Sequence, residues 1–116
     1  MTTIRRIGNH PRWSDVVIHQ HTARWVEVAS DLSADSRSQI TQILTQIDET
    51  LATLRAPRTA LLEVIIHLAA LEDVEILNAL WDNWVPSGHA PIRACVQSGL
   101  AGSCRAEFIV HAATDF

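Results

Sequence analysis

The sequence predicts an α+β fold: a mixed β-sheet with two helices on one face, in the element order β-β-β-α-β-α-β-β. Three observations lead there. Apolar residues at steps of three and four run from Ile40 to Leu54 and again from Val74 to Trp84. Short runs rich in β-branched residues precede, separate and follow these two stripes. The 116 residues, 47% of them hydrophobic, suffice for one packed domain spanning 1–116 and leave no room for a second.

Each element has a local reason. Ile4 to Ile7 reads as a short edge strand, set apart by Pro11. Ser14 to His19 and Ala23 to Val28 read as a hairpin turning at Gln20-His21-Thr22, with Trp25 facing away from Val26. Ser33 precedes the first helix and Asp35 falls in its first turn, where negative charge suits the positive end of the dipole. Ile40, Ile43, Leu44, Ile47, Leu51 and Leu54 form its buried stripe. Gln39, Gln42, Gln46, Asp48 and Glu49 fill the other side, and Pro57 closes the segment. Ala60 to Leu68 is a continuous apolar run of strand length, suited to a central strand. A second helix runs from Asp73 to Val85, with Glu72, Asp73 and Glu75 as its solvated start, and Pro86-Ser87-Gly88 ends it. Pro91 to Gln97 and Arg105 to Ala112 are the last strands, joined by a turn at Gly99 to Gly102.

Two helices cover only one face of such a sheet. By alternation the other face carries Ile65, Ile109 and Cys95, too much apolar surface for a monomer, so an oligomer closed as a ring is expected.

Composition excludes several chemistries. The nine basic residues are all Arg, so neither a lysine Schiff base nor a P-loop is available. The chain has no Tyr to act as a phenolic acid or base. A net charge of −4 argues against nucleic acid as a partner. The longest apolar segment is interrupted by Glu63 and His67 and is too short to cross a membrane. Residues 1–7 lack the apolar stretch of a secretory leader, so a cytoplasmic location with Cys95 and Cys104 as free thiols is expected.

The segment Pro91-Ile92-Arg93-Ala94-Cys95-Val96-Gln97 is the sharpest local feature. Alternation puts Arg93, Cys95 and Gln97 on one face and the apolar Ile92, Ala94 and Val96 on the other, where they are expected to meet the helices. Arg93 then falls on the face left for the interface, where it needs an anionic partner or a ligand. Its planar fork matches a carboxylate. Glu107, in the last strand, lies beside Arg93 and Cys95 if the two strands pair. A structural Arg93–Glu107 ion pair and a ligand site both satisfy this pattern. His19 and His21 lack a third ligand in sequence, and no metal is expected there. Glu63 and His67 share a strand face and are expected to bond each other or a neighbouring subunit. Trp81 and Trp84 read as core, and His89 as bordering the cleft without a proton-transfer role.

The segments Arg12-Trp13-Ser14-Asp15-Val16-Val17-Ile18-His19, Trp81-Asp82-Asn83-Trp84-Val85, Gly88 to Gln97 and Ala106-Glu107-Phe108-Ile109-Val110 resemble the RidA/YjgF family of reactive intermediate deaminases, and within it the YoaB-like branch. The resemblance runs from Arg12 to Ala113. It implies a chorismate-mutase-like fold, a homotrimer with a β core, and clefts between subunits. It also implies hydrolysis of 2-imino acids, released by pyridoxal-dependent dehydratases, to 2-oxoacids and ammonia, with no cofactor. Arg93 would then clamp the substrate carboxylate, Cys95 would contribute through its backbone, and Glu107 would orient the water. Trp13 and Ser14 would border the substrate. Two positions depart from the family pattern. Trp13 stands where active members carry Tyr, and Glu27 stands where members carry Gly close to the ligand. Glu27 is expected to enter the substrate site, or to pair with Arg93 or Arg24. The resemblance leaves binding of a small carboxylate without turnover as the alternative, and ribonuclease or translation-inhibitor activity as the weakest reading.

Overall fold

In the computed structural model the described residues are 3–116; Met1 and Thr2, the start of the predicted domain, lie outside them. Six strands form one sheet: β1 (Arg5–Ile7), β2 (Val16–His19), β3 (Thr22–Glu27), β4 (Leu61–Leu68), β5 (Ile92–Gln97) and β6 (Ala106–Ala113). Two helices complete the fold, α1 (Ser36–Thr53) and α2 (Val74–Trp84). The strand order is β1-β2-β3-β6-β4-β5, antiparallel throughout except for the parallel pair β4–β5, whose crossover contains α2. The mixed sheet, the element order and the two helices match the expectation from sequence.

Local chemistry accounts for the element ends. The β2–β3 hairpin turns on Gln20 and His21, whose φ angles of 50° and 63° make a two-residue turn matched to strand twist. α1 is capped by Asp35, whose carboxylate accepts the Ser38 backbone N–H at 2.9 Å. Asp35 is thus the cap itself rather than a first-turn residue. Leu62 is an extra residue in β4, bulged between the pairs Leu61–Ala112 and Glu63–His111.

The core lies between the helices and one sheet face. Val16 and Ile18, Ala23 and Trp25, Val64 and Ile66, and Phe108 and Val110 meet Ile40, Ile43, Ile47 and Leu51 of α1 and Leu77 and Trp81 of α2. Gln39, expected on the solvent side of α1, is fully buried. Its amide nitrogen donates to the carbonyls of Leu32, Ala34 and Ser103, and its oxygen accepts from the Arg105 backbone N–H at 2.8 Å. One side chain thereby satisfies backbone groups of two loops that no strand reaches. Asp73 is not part of a solvated helix start either. It is buried, holding Arg105 at 3.0 Å and the Ser36 hydroxyl at 2.8 Å.

The opposite face is open. Val26, Ile92 and Val96 are 55%, 67% and 43% exposed on it, beside half-buried Ile65 and Ile109. Cys95 does not belong to this face. Arg93 and Cys95 register with the buried Val64 and Ile66 of the parallel neighbour, so both point toward the helices, while Ile92, Ala94 and Val96 point outward. The expected facing of β5 is therefore reversed. Its apolar side is held for the open face, and Arg93 finds its place beneath α2. Glu63 stands 3.4 Å from His111 across the strands rather than beside His67, which lies opposite Glu107.

Candidate functional site

A cleft of about 780 Å³ opens where the loop before β2, the end of β3 and the loop between β5 and β6 converge. The sequence explains each wall. Gly8 adopts φ +110°, and a Cβ there would meet the Asp15 carboxylate at 2.8 Å, so only glycine lets the chain fold back on this segment. The Asp15 N–H donates to the Ile7 carbonyl at 2.7 Å and fixes the loop that presents Trp13, Ser14 and Asp15. Trp13 is 60% exposed, yet its ring is held by a parallel stack on His10, centroids 3.6 Å apart. The His10 Nδ1 accepts the Arg12 backbone N–H at 3.1 Å, which fixes the stack in turn.

Glu27 ends β3 on the helix side of the sheet and lines the cleft. Trp25 Nε1 donates to one of its carboxylate oxygens at 3.1 Å and Gln46 Nε2 to the other at 2.9 Å. Burial pushes its pKa above the ordinary value of 4.5, opposed by hydrogen bonds from Gln46, Trp25 and Thr50, while the charge of Glu49 adds to the rise. It pairs with neither Arg93 nor Arg24. Gln42, Gln46 and Thr50 form a polar strip beside the apolar stripe of α1, and this strip was the signal that a polar group from β3 would dock there.

Glu107 is half-buried, lies on the open face opposite His67, and borders the same cleft. Ser14 lines it too. Four of the residues singled out from sequence, Trp13, Ser14, Glu27 and Glu107, therefore meet around one space.

Arg93 and Cys95 are not brought to that space within one chain. β4 separates β5 from β6, so Glu107 and Arg93 are not strand neighbours, and they face opposite sides of the sheet. The expected Arg93–Glu107 contact is excluded within one chain. Arg93 sits near the start of β5, whereas the cleft is lined by Gly99 to Ala101, in the loop beyond the strand's end at Gln97, itself about 13 Å further along at strand rise.

The surroundings of Arg93 are specific. Its guanidinium carbon stands 5.4 Å from the Trp81 ring centroid, and Nη2 donates to Asn78 Oδ1 at 2.8 Å. Among the described residues no carboxylate lies within ion-pair distance of it. The group is thus oriented by a ring face and a neutral amide while its charge stays uncompensated. Asn78 went unremarked in the sequence. Its spacing of three from Trp81 places it on the same face of α2, and that was the available clue. Cys95 packs against the core, and burial pushes its thiol up, with Arg93 offsetting part of the rise. Its side chain is accordingly no ready nucleophile at neutral pH. His89 is exposed and bonds the Ser87 carbonyl.

Comparison with known proteins fits this architecture. The family model described as endoribonuclease L-PSP matches residues 5–112. The RutC family protein YoaB of Escherichia coli K12 is 43% identical over 98 residues, covering 84% of this chain and 86% of that protein. An uncharacterised protein from Pseudomonas aeruginosa, known from its crystal structure, superposes with a TM-score of 0.92 at 38% identity, covering 97% of this chain and 100% of that one. A member of the YjgF family from Neisseria meningitidis superposes with a TM-score of 0.90 at 30% identity, covering 98% and 97%.

Proposed function

The chain belongs to the endoribonuclease L-PSP family, which takes in the YjgF, RidA and RutC proteins, and on that premise we propose that it hydrolyses 2-imino acids to 2-oxoacids and ammonia at clefts completed between copies of the chain. The observation that carries this reading is the uncompensated guanidinium of Arg93, held in place by Asn78 and Trp81. A planar cation with free donors is a receptor for a small carboxylate. A homotrimer is the assembly we propose, because it lets Arg93 of one copy face the cleft of the next and covers the apolar open face.

The chemistry asks little of the protein. Water adds to the electrophilic carbon of the protonated imine, and one of its protons passes to the Glu107 carboxylate. The resulting carbinolamine takes that proton back from Glu107 onto nitrogen. A lone pair of the hydroxyl oxygen forms the carbonyl as the C–N bond breaks and ammonia leaves, and the hydroxyl proton passes through Glu107 to the ammonia, giving the 2-oxoacid and ammonium. Positioning and a carboxylate that relays two protons in turn suffice, so no metal or cofactor is invoked. Cys95 contributes through its backbone. Trp13 and Ser14 border the substrate. Such imines arise from dehydratases in the cytoplasm, the location we assign. No helix among the described residues is long and apolar enough to cross a membrane.

The test is a coupled assay in which a threonine dehydratase supplies 2-iminobutanoate and its decay is followed with and without the protein. Acceleration that disappears with Arg93→Ala supports the reading; acceleration unchanged by it removes Arg93 from the site. A second reading, binding of a small carboxylate without turnover, is favoured by the Glu27 carboxyl lining the cleft. It predicts thermal stabilisation by 2-oxobutyrate with no faster imine decay. Cleavage of RNA is the reading least supported, given a net charge of −4 and no lysine.

A further inference from the structure

We propose that Arg105 is a positioning residue for the deamination: clamped by Asp73 and Ser36, it fixes the strand end that presents Glu107, although it does not itself line the cleft. The inference rests on the deaminase reading above and gives a part in it to a buried polar cluster outside the cleft. Asp73 is buried, and its Oδ2 accepts from Arg105 Nη2 at 3.0 Å and from the Ser36 hydroxyl at 2.8 Å. Arg105 Nε donates to that same hydroxyl at 3.0 Å. A guanidinium, a carboxylate and a hydroxyl closed on one another in this way hold the side chain in one geometry. The backbone of Arg105 is held as well. Its N–H donates to Gln39 Oε1 at 2.8 Å, and its carbonyl accepts the Ala69 N–H at 3.0 Å. Ser36 opens α1, Asp73 directly precedes α2 and Ala69 directly follows β4, so residue 105 is tied to three elements at once.

Glu107 needs such support. It is the second residue of β6. The ladder to β3 stops at the pair Glu27–Phe108, so Glu107 is paired on one side only, opposite His67 of β4. The loop before β6 adds little, because nothing packs within 4 Å of where a Cβ would stand on Gly99 or Gly102. Among the described residues no ion pair holds the Glu107 carboxylate. Its place is therefore set by its backbone, and the backbone is anchored two residues earlier. A carboxylate that relays protons tolerates little displacement, since a shift of about 1 Å costs on the order of 10²-fold in rate.

The experiment is a double-mutant cycle on kcat with 2-iminobutanoate supplied by a threonine dehydratase, using protein whose circular dichroism matches the parent's. Arg105→Met keeps the chain length and removes the guanidinium. It is expected to lower kcat about tenfold in the parent and by less than about twofold in the Glu107→Gln background, where the carboxylate it positions is gone. Affinity for 2-oxobutyrate, gripped by Arg93, is expected to stay within about twofold. If Arg105→Met does not fold, Arg105→Lys, which keeps a cation for Asp73 and loses the bond to Ser36, is read in the same cycle with a several-fold loss expected. If Glu107→Gln has no measurable turnover, the split decides: a fall in kcat with 2-oxobutyrate affinity unchanged supports the proposal. Equal losses in both backgrounds, affinity falling in step with kcat, or a folded Arg105 variant with undiminished kcat overturns the inference and leaves the deaminase reading standing. Absence of turnover by the unmutated protein overturns both.

Discussion

Arg93 Nη2 lies 2.8 Å from Asn78 Oδ1, and that neutral amide is what orients a cation with no anion beside it. A carboxylate at the same position would give the guanidinium a permanent partner. Asn78→Asp is therefore expected to weaken binding of 2-oxobutyrate by about tenfold or more, since a bidentate ion pair competes directly with the ligand. Isothermal titration against the unmutated protein measures it. Undiminished affinity would show that Arg93 does not grip the ligand.

Glu27 makes stability depend on pH. Burial raises its folded pKa above the unfolded value near 4.5, so the folded state holds its proton more tightly. Its contribution is fully present below 4.5 and is lost as pH rises through the folded value. Urea midpoints of the unmutated protein should fall across that window, and Glu27→Gln should flatten the fall. A slope identical in the two proteins would assign the effect elsewhere.

Gln39 is the most consequential polar residue of the core. Replacing it by Leu keeps the volume but strands three carbonyls and one N–H, at about 3 kcal/mol in total after partial rehydration of the loops. Chemical denaturation reads this directly. A loss below about 1 kcal/mol would mean that the loops find other partners.

Ile109 faces the open side of the sheet, half-buried beside Val26. Placing a charge there with Ile109→Glu is expected to turn the proposed trimer into monomers, because an unpaired carboxylate in an apolar interface costs roughly 3 kcal/mol or more. Sedimentation velocity distinguishes the two. A variant that sediments as the parent does would place the interface on another face.

Much of this was legible beforehand. The stripe from Ile40 to Leu54 specified α1, and the hairpin turned at Gln20 and His21 as its residues suggested. The facing of β5 was not legible, because the rule that apolar residues meet the helices fails on an edge strand beside an open face. There Ile92, Ala94 and Val96 are the exposed set, and a Trp ring and an amide receive Arg93 under α2. The separation of Arg93 from Glu107 was equally hidden, since chain order does not reveal that β4 lies between β5 and β6. Glu27 was recognised as a residue of the cleft, but its partners lie on α1, which periodicity places in the fold without orienting its polar edge. Gln39 carries no periodic signature, because its worth comes from carbonyls in loops far along the chain.

The last strand of the chain occupies the middle of the sheet, hydrogen-bonded to β3 on one side and β4 on the other. Until residues 106–113 emerge from the ribosome, the hairpin side and the parallel side have no shared edge and remain two unjoined ribbons. Cooperative collapse thus waits for residues 106–113, and closure joins segments distant in sequence, which slows it. Between the completion of β4 at Leu68 and the arrival of β6, a nascent chain of this protein exposes two unpaired strand edges, one on β3 and one on β4, and shielding them falls to whatever meets the polypeptide at the exit tunnel.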